Sequence, residues 1–194
     1  MTETANQEEP REIILKISLK LFTQKSYFKT SIADIARETS ISSGSIYHVF
    51  KNKEAIAQAL YDDLMERMDD SLAEIRRTHK TVADRTRAVV DLLFTLTEDA
   101  PEVMRFLLLS NYREFLPTEK SLSSSPAFEG FKEILSDGIK NGDIRRMNPA
   151  TAYASFYGTI LESIRMSLEG LLEKPISAYN HELWDSAWRA VVRR

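Results

Sequence analysis

A chain of 194 residues, 43% of them apolar and 28% charged, with a formal net charge of −3, is long and apolar enough to fold into one or two domains with real cores. It contains no run of about 18 uninterrupted apolar residues that would cross a bilayer, and its first ten residues are polar and acidic, which argues against a secretory signal and for a cytoplasmic protein with no membrane partner. With no cysteine, and with its three histidines, His48, His79 and His181, far apart in sequence, the chain offers no disulfide framework, thiol nucleophile or metal site, and no cofactor is expected.

Residues 1–9 read as a disordered acidic leader, after which Pro10 sits where a first helical residue is favoured because its missing N–H would be unpaired anyway. Ile14, Ile17 and Leu21, with Ile13 and Phe22 beside them, make one apolar stripe through residue 24. A short second helix fits residues 31–38, capped by Thr30 or Ser31 and burying Ile35 and Ala36. After a turn at residues 39–41, Ser42 caps a third helix to Val49, with Ile46 and Val49 on its inner side. That is helix, tight turn, helix. From Arg11 to Lys53 the chain holds eight Lys or Arg against three acidic residues, or +5, whereas residues 54–194 hold 18 against 23, or −5. A basic head on an acidic body is expected where only one part meets phosphate.

Asn52 caps a long fourth helix from Lys53, whose Ile56, Leu60, Leu64, Met68, Leu72 and Ile75 continue one stripe. Helical periodicity returns over residues 82–96 and 101–116, with Pro101 and Pro117 as punctuation; residues 121–126 are a loop. Further helices fit residues 127–140, ended by Asn141 and Gly142, then 149–169 and 179–192. The fold class is all-α: a three-helix head over residues 10–52, joined by a long helix to a helical body over 53–194, without internal repeats or a glycine-rich phosphate loop.

The helix-turn-helix carries the chemistry. Gly44 removes a side chain where a backbone can approach base edges, and Ser43 and Ser45 flank it with short hydrogen-bonding groups. Tyr47, His48 and Lys53 offer donors for phosphate oxygens, and Thr30 or Ser31 with the amides opening the second helix can take another phosphate. Residues 43–45 include no Arg, Lys, Gln or Asn, the usual bidentate base readers, so operator choice is expected to lean on DNA shape and phosphate placement.

The spacing of Ile35-Ala36, Ser43-Gly-Ser-Ile-Tyr47 and Phe50-Lys-Asn-Lys53 resembles the TetR family of bacterial regulators, at residue level over about residues 11–55. The resemblance implies DNA contacts at Ser31, Ser43, Gly44, Ser45, Tyr47, His48 and Lys53. Two positions depart from the family pattern: Ser26 and Ser40 stand where it usually has glycine, uncomfortable places for serine if either backbone takes a positive φ.

In the body, Tyr157, Ile160, Ile164 and Leu168, with Trp184 and Trp188 of the last helix, suit a dimer interface; alternatively the tryptophans finish the core of one protomer. A two-fold homodimer would read a palindromic double-stranded operator. Phe94, Met104, Leu107, Tyr112, Phe128, Phe131 and Phe156 could line an apolar pocket, although each is also an ordinary core residue. The resemblance implies a small-molecule effector there, apolar or amphipathic, that moves the fourth helix and releases a repressor from DNA. No convergent set of polar groups suggests an enzyme. A DNA-binding architectural or cell-division factor of the same fold is the alternative function.

Overall fold

The computed structural model describes residues 9–110 and 125–193. Among these residues the regular structure is helical, apart from one antiparallel bridge between Ile144 and Val192. No helix described is long and apolar enough to cross a membrane.

Helix α1 (Pro10–Lys25) opens on its proline, as the missing N–H allows. Helix α2 (Ile32–Thr39) is started by Ser31, which accepts from the Asp34 amide while the Asp34 carboxylate accepts from the Ser31 amide, a reciprocal capping box. Ser42 caps α3 (Ser43–Val49) by accepting from the Ser45 amide. Ile14, Leu21, Phe22, Ile35 and Ile46 are buried together where these helices meet. Val49, expected inward beside Ile46, is 40% exposed, and Phe50 is buried in its place. The reason is that α3 stops after two turns, and the extended backbone of Phe50 swings the next side chain back to the core.

Both departures from glycine do fall at positive φ. Ser40 ends α2 in the left-handed region at φ 58°, a conformation that a small polar residue tolerates. Ser26 follows α1 at φ 75°, ψ 155°, close to a region that belongs almost entirely to glycine. Its carbonyl accepts from the Thr30 hydroxyl at 2.9 Å, which holds the loop in that shape.

Asn52 caps α4 (Lys53–Thr78) by accepting from the Ala55 amide. At about 1.5 Å per residue this helix runs on the order of 39 Å from head to far pole. The body follows as α5 (Val82–Asp99), α6 (Pro101–Leu109), α7 (Pro126–Asn141), α8 (Pro149–Leu168), a 3-10 turn (Ile176–Tyr179) and α9 (Asn180–Val191). Helix α5 lies at the centre, touching α4, α6, α7, α8 and α9, while α1 packs on both α4 and α6. Helix α7 comes close because it is small where it must be: a Cβ on Gly138 would lie 2.8 Å from Ile144 Cδ1 and 2.9 Å from Val82 Cγ1.

Glycine normally weakens a chain through the entropy of its unfolded state, but at Ser26 backbone strain of order 1–3 kcal/mol outweighs that cost. Ser26→Gly is therefore expected to stabilise the protein by about 1 kcal/mol, read as a raised urea midpoint; a lowered midpoint would show that Ser26 is unstrained.

Candidate nucleic-acid interface

Ile46 is the one fully buried residue of α3. At about 100° per residue, the positions opposite it are Gly44 and His48, with Tyr47 alongside. Gly44, Ser45, Tyr47 and His48 are exposed, Tyr47 by 55%, and Ser43 is half-buried. An aromatic that was merely packing between helices would not stand so far out. The Cβ position of Gly44 meets nothing nearer than Ser42 Oγ at 3.8 Å, so nothing within the protein demands a glycine there. The Ser45 hydroxyl lies 2.9 Å from that of Ser42 within the cap.

Thr30 requires a correction. Only 2% exposed, it turns its hydroxyl to the carbonyls of Ser26 and Leu21, so it closes the α1–α2 loop and cannot face a phosphate. Ser31 is exposed, but its hydroxyl is engaged with Asp34. The anion position at the start of α2 is thus already filled by the Asp34 carboxylate, whose acidity is strengthened by the Ser31 hydroxyl and amide, then by Arg37, with Lys25 at 3.6 Å. A phosphate arriving here meets a cluster of one carboxylate and two cations, in which the Ser31 amide already donates to Asp34.

Lys53 is also turned inward. Its ammonium donates to the Tyr27 carbonyl at 2.9 Å and the Thr30 carbonyl at 3.0 Å, and sits 4.1 Å from the centre of the Tyr27 ring. The Tyr27 hydroxyl in turn donates to Glu54 at 3.0 Å, and burial together with that bond raises its pKa. The first turn of α4 is therefore fastened to the loop of the head, leaving one of three ammonium hydrogens for anything else. Lys29 and Lys51, which the sequence pattern did not single out among the contacts, are exposed and make no ion pair among the described residues. They stand beside the starts of α2 and α4, on either side of α3 in sequence.

In the body, an apolar cavity of about 50 Å³ lies between α4, α5, α6, α7 and α8. Met104, Leu107, Phe128 and Phe131 line it as expected. Phe94 and Phe156 instead lie in solid core at 1% and 0% exposure, and Tyr112 falls outside the described residues. The sequence reading missed Met65 and Met68 of α4 and Tyr153 and Leu161 of α8, all of them lining residues. Met65 lies one residue beyond Leu64 on the predicted stripe, so a wider stripe would have included it.

The expected dimer contacts need the larger correction. Tyr157, Ile160, Ile164 and Leu168 are buried within one chain, none more than 5% exposed, because α8 turns that stripe toward its own body. Trp184 and Trp188 stack 5.7 Å apart; the Trp184 indole donates to Thr86 of α5 at 3.3 Å and Arg87 lies over its ring. Both pack against the protomer's core and stay partly exposed. What α8 leaves open is its small-residue side, Thr151, Ala154 and Gly158, with no atom within 4 Å of the Gly158 Cβ position.

Residues 14–60 match the family model described as bacterial regulatory proteins, tetR family. Over 164 residues, 81% of this chain and 84% of its relative, the sequence is 22% identical to the fatty acid metabolism regulator protein of Bacillus subtilis (strain 168). It is 25% identical over 150 residues, 74% of this chain and 72% of the other, to the HTH-type transcriptional repressor KstR2 of Rhodococcus jostii (strain RHA1). The fold is similar to the crystal structure of the transcriptional regulator FadR from Bacillus subtilis in complex with stearoyl-CoA, with a TM-score of 0.80 at 19% identity, over 92% of this chain and 98% of that one.

Removing the Lys53 ammonium leaves two carbonyls without their charged donor, while the exposed Lys51 has no such role. Lys53→Met is expected to destabilise the protein by about 2 kcal/mol in urea titration, against a change within about 0.5 kcal/mol for Lys51→Met. Equal effects of the two would mean that the clamp contributes nothing.

Proposed function

Because this chain belongs to the TetR family of bacterial transcriptional regulators, with residues 14–60 forming its DNA-binding unit, we propose that it is a cytoplasmic, homodimeric repressor of a palindromic operator, released by a long-chain fatty acyl thioester bound in its body. One observation carries this reading: α4 holds the head through Lys53 and also supplies Met65 and Met68 to the apolar cavity. About 18 Å of continuous helix separates Lys53 from Met65, so a ligand that widens the cavity against the methionines pushes on the element to which the head is fastened.

On DNA, Gly44, Tyr47 and His48 face the major groove, with Ser43 and Ser45 beside them and Lys29 and Lys51 as the phosphate cations at the flanks. Contacts of this kind give a steep salt dependence with little bidentate base reading. The dimer forms through the open side of α8 about Ala154 and Gly158, where two helices can approach closely. The ligand class is supported by the apolar lining of the cavity and by two likenesses, to a fatty acid metabolism regulator and to a regulator holding stearoyl-CoA. Repression is supported by the relative named as a repressor.

The test is fluorescence anisotropy with the DNA upstream of the protein's own gene, at two salt concentrations, with and without stearoyl-CoA. The parent is expected to bind, Tyr47→Phe to bind about two- to tenfold more weakly, and stearoyl-CoA to reduce affinity by a factor of about 5–150, the usual range of coupling between sites. Binding that stearoyl-CoA leaves unchanged would remove the ligand from this reading, and no binding at all would remove the operator. In sedimentation at micromolar concentration the parent is expected as a dimer and Gly158→Arg as a folded monomer; a dimeric Gly158→Arg places the interface elsewhere.

A further inference from the structure

Tyr157 is 1% exposed, and its hydroxyl has no hydrogen-bond partner among the described residues. A buried hydroxyl left unpaired is costly, and native cores seldom keep one without a use. Burial, and then the neighbouring Tyr153, hold the Tyr157 phenol far above its ordinary ionisation range, so it stays a neutral donor at any physiological pH.

Position supplies the use. Residues 153, 157 and 161 follow one another at four-residue spacing on α8 and so share a face. Tyr153 and Leu161 both line the apolar cavity, which places Tyr157 behind the middle of that wall. Its ring touches that of Phe156, 4.9 Å between centroids, and on the cavity side those of Phe131, at 5.1 Å, and Tyr153, at 5.3 Å, both lining residues. The cavity now measures about 50 Å³, whereas ligand sites generally enclose about 300–1,000 Å³. An occupant must therefore displace side chains. Met65, Met68 and Met104 adapt readily, and Phe131 and Tyr153 are only partly buried. These two rings are the ones that stand between Tyr157 and the cavity. The other hydroxyl among these lining groups, that of Ser125, is engaged as the cap of α7, accepting from the Phe128 amide at 3.2 Å.

We propose that Tyr157 is the donor that reads the ligand's polar group: an acyl chain enters by displacing Phe131 and Tyr153, and its carbonyl oxygen accepts from the Tyr157 hydroxyl. The assignment rests on the acyl-thioester reading above and goes beyond it by naming the atom that is recognised and the residue that recognises it.

The experiment is isothermal titration of the full chain with stearoyl-CoA and with its S-octadecyl thioether, in which a methylene replaces the carbonyl. The parent is expected to bind the thioester about tenfold more tightly than the thioether, the ratio that one net buried hydrogen bond supports. Tyr157→Phe is expected to bind the two alike, with its loss confined to the thioester, while Tyr153→Phe keeps the parent's preference. Because the substitution removes an unpaired hydroxyl and no packing, the ligand-free melting temperature of Tyr157→Phe should equal or exceed the parent's, which separates lost recognition from lost fold. A preference that survives in Tyr157→Phe, or that the parent never shows, overturns the assignment while the ligand class stands. If the parent binds neither compound, the acyl-thioester reading fails, and the role of Tyr157 in it fails as well.

Discussion

The ammonium group of Lys53 ties the DNA-facing helices to everything behind them. It bridges two carbonyls of the loop between α1 and α2 while lying over the Tyr27 ring, and the Tyr27 hydroxyl returns to Glu54, the next residue of α4. A charged donor on two carbonyls is stronger than a neutral hydrogen bond and is directional. The head is consequently set at a fixed angle on the end of α4. A second fastening, the paired bonds from Arg11 to Asp63 at 3.0 and 3.1 Å, joins α1 to α4 further along. Being exposed, it is worth about 1 kcal/mol at most. The Lys53 joint and the packing of α1 on α4 and α6 therefore hold the head to the body.

That rigidity explains the tolerance of strain nearby. Ser26 and Ser40 hold backbone shapes that glycine would hold more easily. Each lies at an end of the loop or turn that sets α2 against its neighbours. Thr30 locks the first loop through Ser26, and the Thr39 hydroxyl accepts from the Ile41 amide at the second. Asp34 completes the arrangement by occupying the start of α2 with a carboxylate already matched to Arg37 and Lys25. The result is an α2 whose start already carries a carboxylate on the Ser31 amide, while α3 keeps Gly44, Ser45, Tyr47 and His48 exposed.

The body divides its labour along α8. One side is sealed into the protomer by Phe156, Tyr157, Ile160 and Ile164, and the opposite side carries the small Thr151, Ala154 and Gly158 and then the ion-paired Glu162, Arg165 and Glu169. Between α8 and α4 lies a cavity, and behind its apolar wall the Tyr157 hydroxyl has no hydrogen-bond partner among the described residues. A core at native density would not normally keep both a void and an orphaned donor in the same neighbourhood. The proposed ligand site rests on the two together.

Much of this was legible in the sequence. Local rules govern helix starts, and Ser31, Ser42 and Asn52 cap α2, α3 and α4 at the positions that their side chains and the following apolar pattern indicate. The basic head, the exposed Gly44, Tyr47 and His48, and the discomfort of Ser26 and Ser40 likewise follow from residue type and spacing. Tertiary structure alone decided where the ends of long side chains go. Periodicity shows that a helix has an apolar stripe but not whether its cover is the same chain or a second copy, so Tyr157 and Ile160 read as interface until packing put them in the core. Lys53 reads as a phosphate donor until the fold brings two carbonyls, from residues more than twenty positions away, within reach of its ammonium. Caps and stripes are settled within a few neighbouring residues and are written in order along the chain; burial partners and buried donors depend on contacts between distant segments, which exist only once the helices have packed.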